Sequence, residues 1–206
     1  MNKITSKEIA QHLLAIEAVE LRPDAPFTWS SGIQSPIYCD NRKIIGQPAV
    51  RKEIIKAFCA YIKPKIGEID IIAGTSTAGI PHAAFISQEL ELPMSYVRGS
   101  KKSHGKQNQI EGAQVAGKRV VVIEDLISTG GSSLEVVDAL QEAGAEVVEV
   151  VAIFTYGMDR ARKAFNAQQV PLHTLCDLDT LLEVAEEAQS ITLEQKQLIE
   201  QFRDLY

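Results

Sequence analysis

Residues Val120 to Ser133, VVVIEDLISTGGSS, constrain the fold of this chain more than any other segment. Four β-branched apolar residues in a row show no period-two alternation, which is the pattern of a strand buried on both faces of a parallel sheet. Two carboxylates, Glu124 and Asp125, stand where such a strand is expected to end. A turn rich in hydroxyls and glycine follows, and from Ser133 to Ala143 the apolar positions Leu134, Val137 and Leu140 recur at helical spacing. The turn therefore sits at a helix N-terminus, where free N–H groups and the helix dipole favour a phosphate. Ionised carboxylates beside it only accept hydrogen bonds, which suits sugar hydroxyls. Together these features describe a site for a phosphorylated ribose.

Other phosphate motifs fit less well. Gly74 and Gly79 have the spacing of a P-loop, but Ile80 and Pro81 replace its Lys and Ser/Thr. No Gly-x-Gly-x-x-Gly follows a strand, so a dinucleotide fingerprint is absent. Further apolar runs at 69–73, 93–97, 147–154 and 172–175 read as strands. Helical patterns read at 48–62, 79–90, 178–188 and 193–202, and Ser6 is placed to cap a first helix. Strands alternating with helices predict an α/β fold, a doubly wound, mostly parallel sheet with helices on both faces. Residues 1–206 are read as one domain, a small N-terminal hood over about 1–45 and a core over about 46–206. Ligands of such sheets bind beyond the carboxyl ends of the strands, and segments 74–79, 98–112 and 124–133 all fall there.

Composition narrows the function. A net charge of −6 argues against broad nucleic-acid binding. No apolar stretch approaches a membrane span, and the charged, amphipathic N-terminus does not read as a signal peptide. Cys39, Cys59 and Cys176 are odd in number and far apart, which suits a reducing cytoplasm and neither disulfides nor zinc. Against the acidic background, Leu92 to Ile110 lacks any Asp or Glu while holding Arg98, Lys101, Lys102 and Lys106. This polar, Gly-containing stretch reads either as a solvated surface loop or as a lid that brings cations onto an anion.

The 120–133 run resembles the phosphoribosyl-diphosphate (PRPP) signature of the type I phosphoribosyltransferases: an apolar run, two acids, two variable residues, then Thr or Ser with Gly-Gly. The resemblance implies transfer of a phosphoribosyl group from PRPP, with Mg2+, to a nitrogen nucleophile. It carries PRPP binding onto Glu124, Asp125, Leu126, Ile127, Ser128, Thr129, Gly130, Gly131 and Ser132, with the acids on the ribose and 128–132 on the 5′-phosphate. The order Arg98, Lys102, x, His104, Gly resembles the catalytic loop of the orotate phosphoribosyltransferases and carries PRPP contacts onto those three residues. Lys102, His104 and Asp125 are the catalytic candidates.

Phe27-Thr-Trp-Ser-Ser-Gly-Ile-Gln-Ser-Pro-Ile-Tyr38 is similar to the hood of the same orotate enzymes and so implies orotate as acceptor, with Ser128 facing it. Three positions depart from that pattern. Ser30, Ala78 and Gly99 replace lysines, which leaves backbone N–H groups and hydroxyls for the orotate carboxylate and Lys101 as a substitute in the loop. The metal is expected to be held through PRPP and water, with no protein cage. The resemblance also implies a homodimer sharing the 98–112 loop across its interface. A purine-base transferase and a PRPP-sensing regulator are the alternatives.

Overall fold

The computed structural model describes residues 4–28, 32–99 and 109–205. The chain opens with α1 (Ser6–Ala15), whose cap is Thr5. The Thr5 Oγ1 accepts from the Glu8 N–H at 3.2 Å, and the Glu8 carboxylate accepts from the Thr5 N–H at 2.7 Å. Ser6 was the expected cap, but only Thr5 lies three residues before a glutamate, which completes a reciprocal capping box. Four short strands follow: β1 (Val19–Leu21), β2 (Phe27–Thr28), β3 (Gln34–Ser35) and β4 (Ile37–Cys39). They form two small antiparallel pairs, β1 with β4 and β2 with β3.

The core then runs α2 (Pro48–Ile62), β5 (Ile71–Thr75), α3 (Gly79–Leu90), β6 (Met94–Val97), β7 (Ile110–Gly112), β8 (Arg119–Ile127), α4 (Gly131–Glu142), β9 (Glu146–Thr155), α5 (Asp159–Ala167), β10 (Leu172–Asp177), α6 (Leu178–Glu187) and α7 (Leu193–Asp204). Six strands form one sheet in the order β10-β9-β8-β5-β6-β7, parallel except for the β6–β7 pair. Alternate residues of the central strands supply two separate apolar layers. Val121 and Ile123 pack with α1, α2, α3, α6 and α7, whereas Val120 and Val122 pack with α4 and α5. That is why these strands read as unbroken apolar runs.

Several boundaries differ from the sequence reading. The strand expected from Ile69 starts at Ile71. Its would-be second residue, Asp70, is claimed by Arg119, whose backbone N–H and guanidinium both donate to it at 2.8–3.1 Å. The signature strand does not end before the acids: β8 continues through Glu124 and Asp125 to Ile127, which pairs with Thr155 of β9. The edge strand β7 has only three residues and little apolar content, so no sequence signal announces it. α5 was also unforeseen, because its buried residues are only Ala161 and Phe165 in a charged segment.

A β-bulge between β8 and β9 has a local consequence. Val120 pairs with Val147 but Val121 with Glu149, so β9 carries one extra residue there. Glu149 is 4% exposed, and its carboxylate accepts from Lys65 Nζ and the Tyr61 hydroxyl, both at 2.8 Å. A carboxylate is thus tolerated inside an apolar strand because it is paired and hydrogen-bonded.

Candidate active site

The registers put Thr75 beside Val97, Gly74 beside Ile123, and Ile127 beside Thr155, so β5, β6, β8 and β9 end on one edge of the sheet. Two turns open there, 76–78 before α3 and 128–130 before α4. Both demand small residues. A Cβ on Gly74 would stand 2.8 Å from the Ile80 Cα, and one on Gly79 would overlap the Thr75 Oγ1 and the Ile123 carbonyl. Gly130 has φ of 82°, and a Cβ there would meet the ring of buried Phe165 at 2.9 Å. Gly130 is also the residue from which α4 departs, with no side-chain cap, so the first N–H groups of this helix are left to the turn and to whatever binds in it.

Glu124 and Asp125 stand side by side at the end of β8 but in different surroundings. Glu124 is 6% exposed. One carboxylate oxygen accepts from the Thr75 hydroxyl at 2.7 Å and the Asp125 N–H at 2.9 Å; the other accepts from the Ser133 hydroxyl at 2.9 Å. Asp125 is half-buried at the edge of the turn. Burial pushes its carboxyl up to about 8, and the hydrogen bond and charge of Glu124 push the same way. The hood reaches this point as well: the Asn41 side-chain amide donates to the Asp125 carbonyl at 2.6 Å. Cys39 and Tyr156 lie close enough that the Asp125 charge raises both, after burial as the main cause.

The remaining sequence candidates fall as follows. Ser128 and Thr129 are half-buried in the turn, and Gly131 and Ser132 are exposed at the start of α4. Ile127 is fully buried, and its carbonyl accepts from the Thr155 hydroxyl at 3.1 Å and the Tyr156 N–H at 3.2 Å. Leu126 packs partly against the layer beneath. Arg98 follows β6 on the same edge, 3.6 Å from the Glu111 carboxylate. Its N–H donates to the Gln109 carbonyl at 2.9 Å, and the Gln109 side chain donates back at 2.8 Å, closing the base of the basic segment. Lys101, Lys102 and His104, like Ser30, lie outside the described residues. Thr75 and Ser133 lie in segments singled out from sequence and Asn41 does not, but no sequence signal pairs any of them with the acids; only the fold brings them there.

A family model described as the phosphoribosyl transferase domain matches residues 42–180, a span that includes the acid pair and both turns. The chain belongs to the phosphoribosyltransferase family. It is 60% identical over 182 residues to an orotate phosphoribosyltransferase of Staphylococcus saprophyticus, covering 88% of this chain and 90% of that one. Among solved structures, it resembles the UMP synthase of Leishmania donovani at a TM-score of 0.82 and 30% identity, over 98% of this chain and 42% of that longer one. It also resembles the orotate phosphoribosyltransferase of Mycobacterium tuberculosis in complex with PRPP, at a TM-score of 0.67 and 25% identity, over 85% of this chain and 98% of that one. A phosphoribosyltransferase of this fold is an α/β protein, and the doubly wound sheet expected from sequence stands.

Proposed function

We propose that this chain transfers the phosphoribosyl group of PRPP to orotate, giving orotidine 5′-monophosphate and pyrophosphate. The observation that carries the reading is the 60% identity to an orotate phosphoribosyltransferase across nearly the whole of both chains. A purine-base transferase would share the acid pair and the turn but has no comparable support here.

In this reading the turn 128–132 and the first N–H groups of α4 take the 5′-phosphate, since that helix end offers donors without a cap of its own. Asp125 takes ribose hydroxyls at the rim. The nitrogen of orotate attacks C1 as the C1–O bond breaks, and the electron pair leaves on pyrophosphate. The ribose passes through oxocarbenium-like character, so the electrostatic demand falls on the leaving group. Arg98 stands at that edge, and Lys102 and His104 follow it in sequence. On the facing turn the Ser76 hydroxyl already donates to the Val97 carbonyl, which leaves the Thr77 hydroxyl and the backbone there, and Ser128 in the 128–130 turn is read as facing the acceptor. Orotate is an anion through its carboxylate; its ring N–H loses a proton as the N–C1 bond forms, and that proton passes to the departing pyrophosphate or to water.

Mg2+ fits this donor set as a partner of the substrate. Both oxygens of Glu124 are taken by Thr75, Ser133 and the Asp125 N–H, so of the acid pair only Asp125 at the rim could meet an ion, which would keep its water and substrate oxygens. When bound it would neutralise charge on the diphosphate. The homodimer sharing the 98–112 loop is proposed on the same family grounds. So is a cytoplasmic location; among the described residues no helix is long and apolar enough to cross a membrane.

The deciding experiment follows orotate absorbance with PRPP and Mg2+, beside parallel reactions with hypoxanthine, guanine, adenine and uracil. Loss of orotate alone is expected. Turnover of a purine with orotate untouched would overturn the acceptor, and PRPP binding without turnover of any base would point to a regulator.

A further inference from the structure

We propose that Thr75 and Ser133 are positioning residues, which clamp the Glu124 carboxylate from both sides and so aim the backbone and side chain of Asp125 at the ribose. The proposal rests on the PRPP reading of the site and adds to it two residues that touch no substrate.

Three elements, β5, β8 and α4, meet on one carboxylate. Thr75 is the last residue of β5 and leads into the 76–78 turn. Ser133 is the third residue of α4, one turn into the helix that faces the phosphate. Both are buried, at 2% and 1% exposure. Each hydroxyl donates to a different oxygen of Glu124, at 2.7 and 2.9 Å, while the Asp125 N–H donates at 2.9 Å to the oxygen that Thr75 also uses. A serine inside a helix ordinarily bonds back to its own preceding turn; Ser133 spends its proton across the fold. Gly79 makes the arrangement possible, because any side chain there would overlap the Thr75 hydroxyl.

The geometry has a direct consequence for the reaction. Glu124 is held by one residue from the turn on the pyrophosphate side and one from the helix on the 5′-phosphate side. Its third bond goes to the main chain of Asp125, whose carbonyl is fixed in turn by Asn41 at 2.6 Å. Asp125 is thereby tied through backbone contacts on both sides of its Cα, leaving its side chain at the rim. Losing one donor lets Glu124 swing and loosens the peptide that carries Asp125. The effect should fall on the phosphoribosyl donor, whose ribose hydroxyls Asp125 takes in this reading, and spare the acceptor, which is read as bound by the separate 27–38 segment.

Thr75→Val keeps the shape of the side chain and removes the hydroxyl. Calorimetric titration with PRPP and Mg2+ should show affinity weakened about tenfold, the equivalent of one lost hydrogen bond to a charged group. The KM for PRPP should rise in step, with the KM for orotate held within about twofold, a split that general loosening of the fold would not produce. Thr75→Ser should restore parental PRPP affinity. If Thr75→Val melts early, Ser133→Ala gives the same readout from the other side of the carboxylate. Parental PRPP affinity in Thr75→Val and Ser133→Ala would overturn the proposal, as would a Thr75→Ser as impaired as the valine. Because PRPP binding is read without an acceptor, failure of orotate turnover in the unmutated chain would count against the acceptor reading alone.

Discussion

At residue scale the two neighbouring acids divide the labour. Glu124 is enclosed by donors, whereas Asp125 stands at the rim, and its carboxyl rises to about 8 through burial and the proximity of Glu124. A carboxyl raised above its unfolded value binds its proton in the native state where the unfolded chain has already lost it. Between about pH 4 and pH 8 the native state therefore holds more protons, and stability falls as pH rises through that window. Asp125→Asn removes this cost. At pH 8 the variant should melt a few degrees above the parent, on the order of 1–3 kcal/mol, with the gap closing toward pH 4. A gap independent of pH in scanning calorimetry would refute the assignment. The same substitution should weaken PRPP use, so stability and function pull in opposite directions here. The acid pair was legible in the sequence; its asymmetry was not, because Thr75 and Ser133 lie 49 and 9 residues from Glu124.

At the scale of elements, the signature works because a strand, a turn and a helix hold one another in place. β8 runs on to Ile127, and pairing with Thr155 fixes its end, so the turn begins from a rigid point. Gly130 then takes a left-handed conformation against Phe165 of α5. Replacing Gly130 by alanine adds the left-handed strain and forces the methyl into a buried ring. The expected loss is about 2 kcal/mol in denaturant unfolding, with PRPP binding weakened because the helix N-terminus shifts. An alanine variant with parental stability and affinity would show that the turn tolerates another geometry. The glycine pair was visible in sequence as a turn opening a helix. Its contact with α5 was not, since α5 itself carries too few apolar residues to show a period.

Across the whole molecule, helices are bolted to the sheet by apolar layers and, at one point, by charge. Lys65, just after α2, and Tyr61 within it meet Glu149 of β9 at 2.8 Å, and Tyr61 stacks on His173 of β10 with ring centroids 3.6 Å apart. Lys65→Met leaves the buried carboxylate with the tyrosine alone, and a loss of about 3 kcal/mol is expected. The double variant Lys65→Met/Glu149→Leu should recover most of it, since a desolvated pair replaced by apolar groups costs little. Thermal melts of the two variants check this; a double variant no better than the single one would show that Glu149 contributes through another contact.

By itself, the sequence determined the α/β class, the succession of buried strands and helices, and the edge of the sheet where the acid pair and the two small-residue turns meet. Those properties follow from local periodicity and from turn residues whose conformational demands are met within a few positions. Only the tertiary structure decided which polar groups meet. It placed Thr75 and Ser133 on Glu124, Asn41 on the Asp125 carbonyl, Arg119 on Asp70, and Glu149 within reach of Lys65. Hydrogen bonds of this kind depend on the register of distant strands and on a single bulge, and neither leaves a period in the chain. The run from Val120 to Ser133 thus announced an acid pair and a glycine turn into a helix, and the fold supplied the shell that tells its two acids apart.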